Sequence, residues 1–231
     1  MIQHLQHKVF KSISECADEL GLETYVIGGY VRDVLLNRKE PKDIDIVCVG
    51  SGIELAKKVA KKLHGKPKVQ VFKNFGTAMV IHKDLELEFV GARKESYQKE
   101  SRKPSVENGT LEDDQNRRDF TINTLALCLN KDRYGELLDP FGGINDLENG
   151  IIKTPLDPDI TYSDDPLRMM RAVRFATQLN FAIEKESLFA IEKNAHRLDI
   201  ISQERIIDEV NKIILAKHPS KGFKLLFTEA W

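Results

Sequence analysis

Cysteine is scarce in this chain: the 231 residues include only three. Cys16, Cys48 and Cys128 are odd in number, widely scattered and without the spacing of a zinc site. This pattern argues against a disulfide framework and against structural zinc. We therefore expect three small buried thiols in a reducing compartment, and hence a cytoplasmic protein.

The chain also lacks an excess of charge and any long apolar run. Its 35 basic and 36 acidic side chains leave a formal net charge of −1, so no overall positive field attracts nucleic acid. Any nucleic-acid contact must come from local clusters or from a part of the protein not present here. No apolar stretch approaches the ~20 residues that span a bilayer, and residues 1–22 lack a signal-peptide core. We expect no membrane partner, and the sequence leaves the oligomeric state open.

The hydrophobic pattern predicts a mixed sheet with helices packed against it, followed by a helical region. The first part has predicted helices over 5–20, 30–36 and 52–63 and predicted strands over 25–27, 43–49, 69–72, 79–81 and 85–90. The polar segment 94–108 has no hydrophobic period and is predicted to be a mobile loop that is disordered in the free protein.

The second part is predicted to begin near 155–158. Ser163 or Asp164 is expected to cap a helix with Pro166 in its first turn, and Ser202 a helix over 204–216. An apolar run at 223–227 lies close to Trp231, so we expect a helical domain that has been cut short.

The segment 42–46 reads Lys-Asp-Ile-Asp-Ile. In a strand, Asp43 and Asp45 share one face while Ile44 and Ile46 face the core. Two neighbouring carboxylates repel unless a cation lies between them, and Mg²⁺ prefers such oxygen ligands. The alternative is a solvated strand edge, but the buried isoleucines favour a metal site.

Upstream, Gly28 and Gly29 lie between a predicted strand and a predicted helix, with Arg32 in the first turn. Glycines here allow the backbone to approach phosphate oxygens, and an arginine can grip a phosphate with two hydrogen bonds. The spacing matches neither a Walker loop nor a dinucleotide fingerprint. Taken alone, this segment is more typical of an ordinary tight turn.

Three blocks of this sequence share their order and spacing with a known fold: Gly28-Gly29, Arg32-Asp33 and Asp43-Ile44-Asp45. They resemble the head domain of the DNA polymerase beta superfamily. More narrowly, they resemble the class II (bacterial-type) tRNA nucleotidyltransferase and poly(A) polymerase family. The similarity continues through Arg-Arg-Asp-Phe-Thr-Ile-Asn at 117–123, Asp-Pro-Phe-Gly-Gly at 139–143, Asp-Asp-Pro-Leu-Arg-Met-Met-Arg at 164–171 and Ser-Gln-Glu-Arg-Ile at 202–206. It implies an α+β fold: a polymerase-beta-like head over 1–156 and an all-α neck with a partial body over 157–231.

The resemblance implies a role for each matching residue. Asp43 and Asp45 would hold two Mg²⁺ ions, one activating the RNA 3′-hydroxyl and one steadying the leaving pyrophosphate. A third carboxylate is usual on a neighbouring strand; Glu88 is our choice and Glu86 the alternative, although both also fit plain surface alternation. The expected nucleotide-binding residues are Gly28, Gly29, Arg32, Arg93, Arg118, Asp119, Asn123, Asp165, Arg168 and Arg171.

The block at 164–171 implies base recognition. Spaced three residues apart, Asp165, Arg168 and Arg171 are predicted to share one helix face, and the first two would read the Watson–Crick edge of CTP or ATP. An Asp–Arg helix pair of purely structural value is the alternative. The family usually has Glu where Asp164 stands, which leaves that one contact in doubt.

Three functions remain open. The first is a tRNA nucleotidyltransferase that adds CCA, CC or A to the 3′ end of tRNA from CTP and ATP. The second is a poly(A) polymerase of the same family. The third is a non-catalytic nucleotide- or RNA-binding relative, which the paired carboxylates at Asp43 and Asp45 argue against.

Overall fold

The computed structural model describes residues 1–38, 41–98 and 101–228. The chain forms two compact units. Unit 1 contains Met1–Lys94, Val106–Gln115 and Asn123–Pro140, and unit 2 contains Glu95–Ser105, Asn116–Ile122 and Phe141–Trp231. The predicted head boundary at residue 156 remains a prediction. In the described part of the chain, no helix is both long and apolar enough to cross a bilayer.

The strands are β1 (Thr24–Ile27), β2 (Asp43–Cys48), β3 (Val69–Phe72), β4 (Thr77–His82), β5 (Leu85–Gly91), β6 (Arg93–Gln98), β7 (Ser101–Asn108), β8 (Ala126–Cys128), β9 (Leu137–Leu138), β10 (Ile151–Ile152) and β11 (Ala182–Ile183). Unit 1 is built on a seven-stranded sheet in the order β3-β4-β5-β2-β1-β8-β9. The β2–β5 pair is parallel and the other pairs are antiparallel, which confirms the predicted mixed sheet.

The helices are α1 (Lys8–Leu20), α2 (Gly29–Leu35), α3 (Gly52–Lys62), α4 (Leu111–Asn116), α5 (Gly143–Asn149), α6 (Pro158–Asp164), α7 (Leu167–Leu179), α8 (Lys185–Asn194), α9 (Gln203–Ile214) and α10 (Pro219–Thr228). Local chemistry sets several of their ends. Gly21 terminates α1 in the left-handed conformation, with φ at 64°. Ser51 caps α3 by accepting a hydrogen bond from the Glu54 amide.

The two faces of the unit 1 sheet are buried differently. Ile44 and Ile46 point to the face where α3 packs against β4 and β5, and both are buried. Gly52 permits this packing because a Cβ there would lie 2.8 Å from the Val90 carbonyl carbon. We call the opposite face, which carries Asp43 and Asp45, the carboxylate face. At its β1 end it is covered by a hydrophobic cluster that includes Tyr25, Ile27, Val47, Leu111, Ala126 and Cys128.

Unit 2 is helical, as predicted for the second part of the chain. Its helix α7 packs against α9 and α10, and α6 packs against α8. The pairing of β10 with β11 is parallel. The apolar run at 223–227 lies in α10, whereas Trp231 falls outside the described residues.

Two local predictions were wrong. The segment 94–108 is not a loop: β6 and β7 pair as a two-stranded sheet, with residues 99–100 outside the described part. Backbone pairing between two neighbouring strands needs no hydrophobic period, so the sequence pattern did not reveal it. Ser163 and Asp164 do not cap the next helix but end α6, whose cap is Asp157. Ser202 does precede α9, but its side chain makes no capping hydrogen bond.

Candidate active site

The carboxylate face brings Asp43, Asp45 and two glutamates of β5 together. Within β2, Asp43 is exposed and Asp45 half-buried, and they alternate with buried isoleucines as the sequence predicts. In the parallel pairing of β2 with β5, Asp43 lies opposite Glu86 and Asp45 opposite Glu88. Neighbouring strands lie about 4.8 Å apart, so each Asp has a glutamate beside it.

Glu88 is the more buried of the two candidate glutamates. It is half-buried, whereas Glu86 is exposed. Burial and the neighbouring Asp45 charge raise the pKa of Glu88, while Arg93 and a hydrogen bond from the Thr77 side chain oppose the shift. Buried carboxyls beside a second carboxylate are typical of functional sites. Glu88 therefore remains our choice as the third carboxylate.

The donor set fits a hard divalent cation. Asp43, Asp45 and Glu88 offer only carboxylate oxygens, the ligands that Mg²⁺ prefers. The Asp45 charge raises the pKa of Glu88, and a cation between them would relieve this repulsion. Within residues 1–38, 41–98 and 101–228, no three His, Cys, Asp or Glu side chains are already grouped closely enough to hold a metal. Mg²⁺ usually keeps several waters, so one or two of these carboxylates suffice to hold it.

The glycine turn leads into α2 as the sequence predicts. Gly28 has φ at 78°, a conformation that side chains disfavour, and its amide bonds the Leu125 carbonyl. Arg32 is buried; it donates to both carboxylate oxygens of Asp33 at 2.9 and 3.0 Å, and to Asn123 Oδ1 at 2.8 Å. Two predicted nucleotide-binding residues, Arg32 and Asn123, are thus in direct contact within unit 1.

In unit 2, Asp119 pairs with Arg171. The Asp119 carboxylate accepts from Arg171 Nε at 2.8 Å and from the Phe120 amide at 2.9 Å. Its charge raises the pKa of Arg171, whose guanidinium lies 5.4 Å from the centre of the Phe175 ring. Arg118, the remaining predicted residue of this block, is half-buried in the turn after α4 rather than on a helix.

The predicted helix face shared by Asp165 and Arg168 is wrong. Asp165 lies between α6 and α7 in an extended conformation and accepts from the Leu167 amide at 3.2 Å. The N-cap of α7 is Pro166, so Asp165 precedes this helix and does not lie on its face. Arg168 and Arg171 do share α7.

Arg168 is held from two sides by main-chain oxygens. Its side chain donates to the Thr161 carbonyl at 3.3 Å and to the Arg117 carbonyl at 2.6 Å, and it is 8% exposed. Asp164, where the sequence departs from the family, ends α6, and burial raises the pKa of its carboxyl. The bonds to Thr161 and Arg117 fix the guanidinium of Arg168.

Sequence reasoning missed a side chain that contacts Glu88 and a buried ion pair between α7 and α9. Thr77 donates to Glu88 from the adjacent strand β4, and only the strand register reveals it. Glu209 of α9 pairs with Arg174 of α7 at 2.5 Å, with both side chains buried. A lone glutamate on an apolar helix face was the one available signal for this pair.

Two family models match the chain. One, described as the poly A polymerase head domain, matches residues 24–153, and one described as a probable RNA and SrmB-binding site of polymerase A matches 180–229. The A-adding tRNA nucleotidyltransferase of Aquifex aeolicus (strain VF5) is 40% identical over 205 residues, covering 89% of this chain and 24% of that protein. The CCA-adding enzyme of Ligilactobacillus salivarius (strain UCC118) is 39% identical over 214 residues, covering 92% of this chain and 50% of that protein.

A similar fold is found in a solved tRNA nucleotidyltransferase complexed with a primer tRNA and an incoming ATP analog. The TM-score is 0.80 at 35% identity, and the match covers 92% of this chain and 59% of that one. The chain thus spans about half the length of its CCA-adding relative and about a quarter of its A-adding relative. The head model alone matches more than half of the 231 residues. The chain belongs to the class II tRNA nucleotidyltransferase and poly(A) polymerase family.

Proposed function

We propose that this chain carries the catalytic part of a cytoplasmic, Mg²⁺-dependent nucleotidyltransferase that adds C, A or both to the 3′ end of tRNA from CTP and ATP. The observation that carries this proposal is the pairing of Asp45 with Glu88 on the carboxylate face of a family head domain. The named activities of the A-adding and CCA-adding relatives support tRNA as the substrate. Three free, buried cysteines support a reducing compartment.

In the proposed reaction, the RNA 3′-oxygen forms a bond to the α-phosphorus of the nucleotide, and the bond to pyrophosphate breaks. Mg²⁺ bound by Asp43 and Asp45 would supply positive charge to the phosphates. Glu88, which lies opposite Asp45 on the neighbouring strand, would be the third carboxylate of this site. Arg32 and Asn123 are positioned to hold the nucleotide beside Gly28 and Gly29.

We assign selection of the incoming base to Arg168 of α7 and to Asp165 just before this helix. Arg168 is already fixed by two main-chain carbonyls, so a forked donor is presented without loss of side-chain entropy. Asp165 supplies the accepting group from the turn before α7. An acceptor and a donor together match the base edges of cytosine and adenine, whereas guanine and uracil present the opposite polarity.

The second candidate is a poly(A) polymerase, which the description of the matching head model favours. One experiment separates the candidates: incubation of the chain with tRNA lacking CCA and each nucleotide singly, then with CTP and ATP together. Two Cs and one A, followed by a halt, identify CCA addition. Two Cs alone or a single A identify the partial activities, and an unlimited A tail identifies poly(A) synthesis. No incorporation in Mg²⁺ would instead favour a non-catalytic relative.

A further inference from the structure

The carboxylate face extends beyond the catalytic groups to an open edge of the sheet. Asp45 lies opposite Glu88, Glu88 opposite Met79 and Met79 opposite Gln70. Residues directly opposite one another share a face, and so do residues two apart along a strand. Gln70 and Phe72 of the edge strand β3 therefore lie on the same face as the carboxylates.

Two phenylalanines are exposed at this edge. Phe72 is 41% exposed, and Phe75, in the turn that joins β3 to β4, is 69% exposed. The turn ends at Gly76 with φ at 65° and leads directly into Thr77, whose side chain bonds Glu88. Single exposed apolar residues are common, so the aromatic rings alone do not define a site.

The charge of the same region provides the second observation. Residues 57–73 contain no acidic residue and seven lysines: Lys57, Lys58, Lys61, Lys62, Lys66, Lys68 and Lys73. Lys58 and Lys62 pair with glutamates of α1. The other five form no ion pair within the described part of the chain. Of these five, Lys66, Lys68 and Lys73 flank β3, and unneutralised lysines beside exposed aromatic rings complement single-stranded nucleic acid.

We propose that β3 and the turn 73–75 bind the single-stranded 3′ end of the RNA. Bases stack on Phe72 and Phe75, and phosphates lie against Lys66, Lys68 and Lys73. Gln70 is three strand spacings from Asp45, about 14 Å, so RNA that crosses the face from β3 leads its 3′-hydroxyl to the carboxylates. This inference rests on the proposed function and adds to it the surface that presents the primer.

Binding without catalysis tests the aromatic part. The probe is a fluorescein-labelled oligoribonucleotide with the sequence of a tRNA 3′ end lacking CCA, and its anisotropy is measured in EDTA. Replacing Phe72 and Phe75 with Ala is expected to raise the Kd about 5- to 150-fold for each base that loses its stacking partner. The matched control is Phe189→Ala, because Phe189 is 71% exposed on α8 of unit 2. It is expected to leave the Kd unchanged.

Salt dependence tests the charged part. Changing Lys66, Lys68 and Lys73 together to Gln is expected to reduce the slope of log Kd against log salt by about 0.7 for each lost phosphate contact. The control changes Lys8, Lys11 and Lys131, which are also exposed and without ion pairs in the described chain, to Gln. Its slope is expected to match that of the parent.

The surface is excluded if the double phenylalanine variant binds the oligoribonucleotide as tightly as the parent, if both lysine variants lower the slope equally, or if the parent itself does not bind. These results are distinct from failure of the proposed function, in which the parent incorporates no nucleotide into tRNA. With an active parent, the phenylalanine variant should raise KM for RNA and leave KM for CTP and ATP unchanged. A folded state equal to that of the parent is checked by circular dichroism.

Discussion

Glu88 is a half-buried carboxyl beside a second carboxylate, so its ionisation opposes folding. Its pKa is raised above the ordinary 4.5 by burial and by Asp45. Because the pKa of Glu88 is raised on folding, the protonated carboxyl favours the folded state. Its contribution to the free energy of unfolding is fully present below about pH 4.5 and is lost as the pH rises through the folded-state pKa. We predict that Glu88→Gln raises the melting temperature at pH 7 in the absence of metal.

The measurement is thermal unfolding of parent and variant between pH 4 and pH 8. The difference in melting temperature should shrink at the acidic end, where Glu88 is protonated in both states. Glu86→Gln, on the same strand but exposed, is the control and should show no such difference. A Glu88→Gln variant less stable than the parent at pH 7 would contradict the assigned environment.

Asp45 is proposed to bind the metal, and a substitution tests this role directly. Asp45→Asn keeps the size of the side chain but removes the charge that a metal needs, so we expect nucleotide transfer to fall by on the order of 10²–10³-fold or more. Melting in EDTA should be unchanged or higher, because carboxylate repulsion is relieved. Asp84→Asn, at an exposed ion pair with Lys42, is the control. Near-normal turnover of Asp45→Asn in Mg²⁺ would remove Asp45 from the metal site.

Arg168 tests the assignment of base reading to α7. Each good hydrogen-bonded contact to a base edge contributes ~1–3 kcal/mol of discrimination. We predict that Arg168→Ala lowers the ratio of kcat/KM for CTP and ATP over UTP and GTP by about 5- to 150-fold. Arg174→Ala, which removes a buried arginine from the same helix, should lower stability and leave this ratio unchanged. Equal ratios in Arg168→Ala and the parent would make Arg168 a structural residue.

At the level of elements, a buried ion pair joins α7 to α9. Arg174 donates to Glu209 at 2.5 Å, and its guanidinium lies 4.0 Å from the centre of the Phe175 ring. Burial lowers the pKa of Arg174, and the Glu209 charge opposes this shift. Removing one partner of a buried pair leaves an uncompensated charge, which costs more than the pair itself contributes.

We therefore predict that Glu209→Ala lowers the free energy of unfolding by about 3–5 kcal/mol. The control is Asp208→Ala on the same helix, which removes an exposed pair with Lys212 and should cost about 0–1 kcal/mol. Urea denaturation of both variants measures the difference. Similar values for the two variants would show that Arg174 finds another partner or reaches water when Glu209 is absent.

At the level of the whole molecule, the three cysteines are distributed through the core of unit 1 and are free. All three are buried, and burial raises their thiol pKa values, that of Cys48 to about 12. A thiol that stays protonated and inaccessible reacts poorly. We predict negligible labelling by a thiol reagent in the native state, labelling of all three in urea, and a melting temperature independent of reductant. Rapid labelling of the native chain would contradict this burial.

Several features of the fold follow from the sequence alone because they are local. The alternation of acids and isoleucines fixes which face of β2 holds Asp43 and Asp45. Gly21 ends α1 because a left-handed residue is needed there. The hydrophobic pattern also predicted the mixed sheet and the helical second part, and the order of the family blocks predicted the family.

The tertiary structure decided the features that depend on residues distant in the chain. Glu88 rather than Glu86 lies opposite Asp45 because of the register between β2 and β5. These strands are some forty residues apart in the chain, so no local pattern encodes their register. The strands β6 and β7 form through backbone pairing that leaves no hydrophobic signal. Because Pro166 is the N-cap of α7, Asp165 precedes the helix and does not lie on its face. The carbonyl oxygens of Thr161 and Arg117 hold the side chain of Arg168. The sequence therefore predicted which residues carry the chemistry, and the three-dimensional packing determined how they are held.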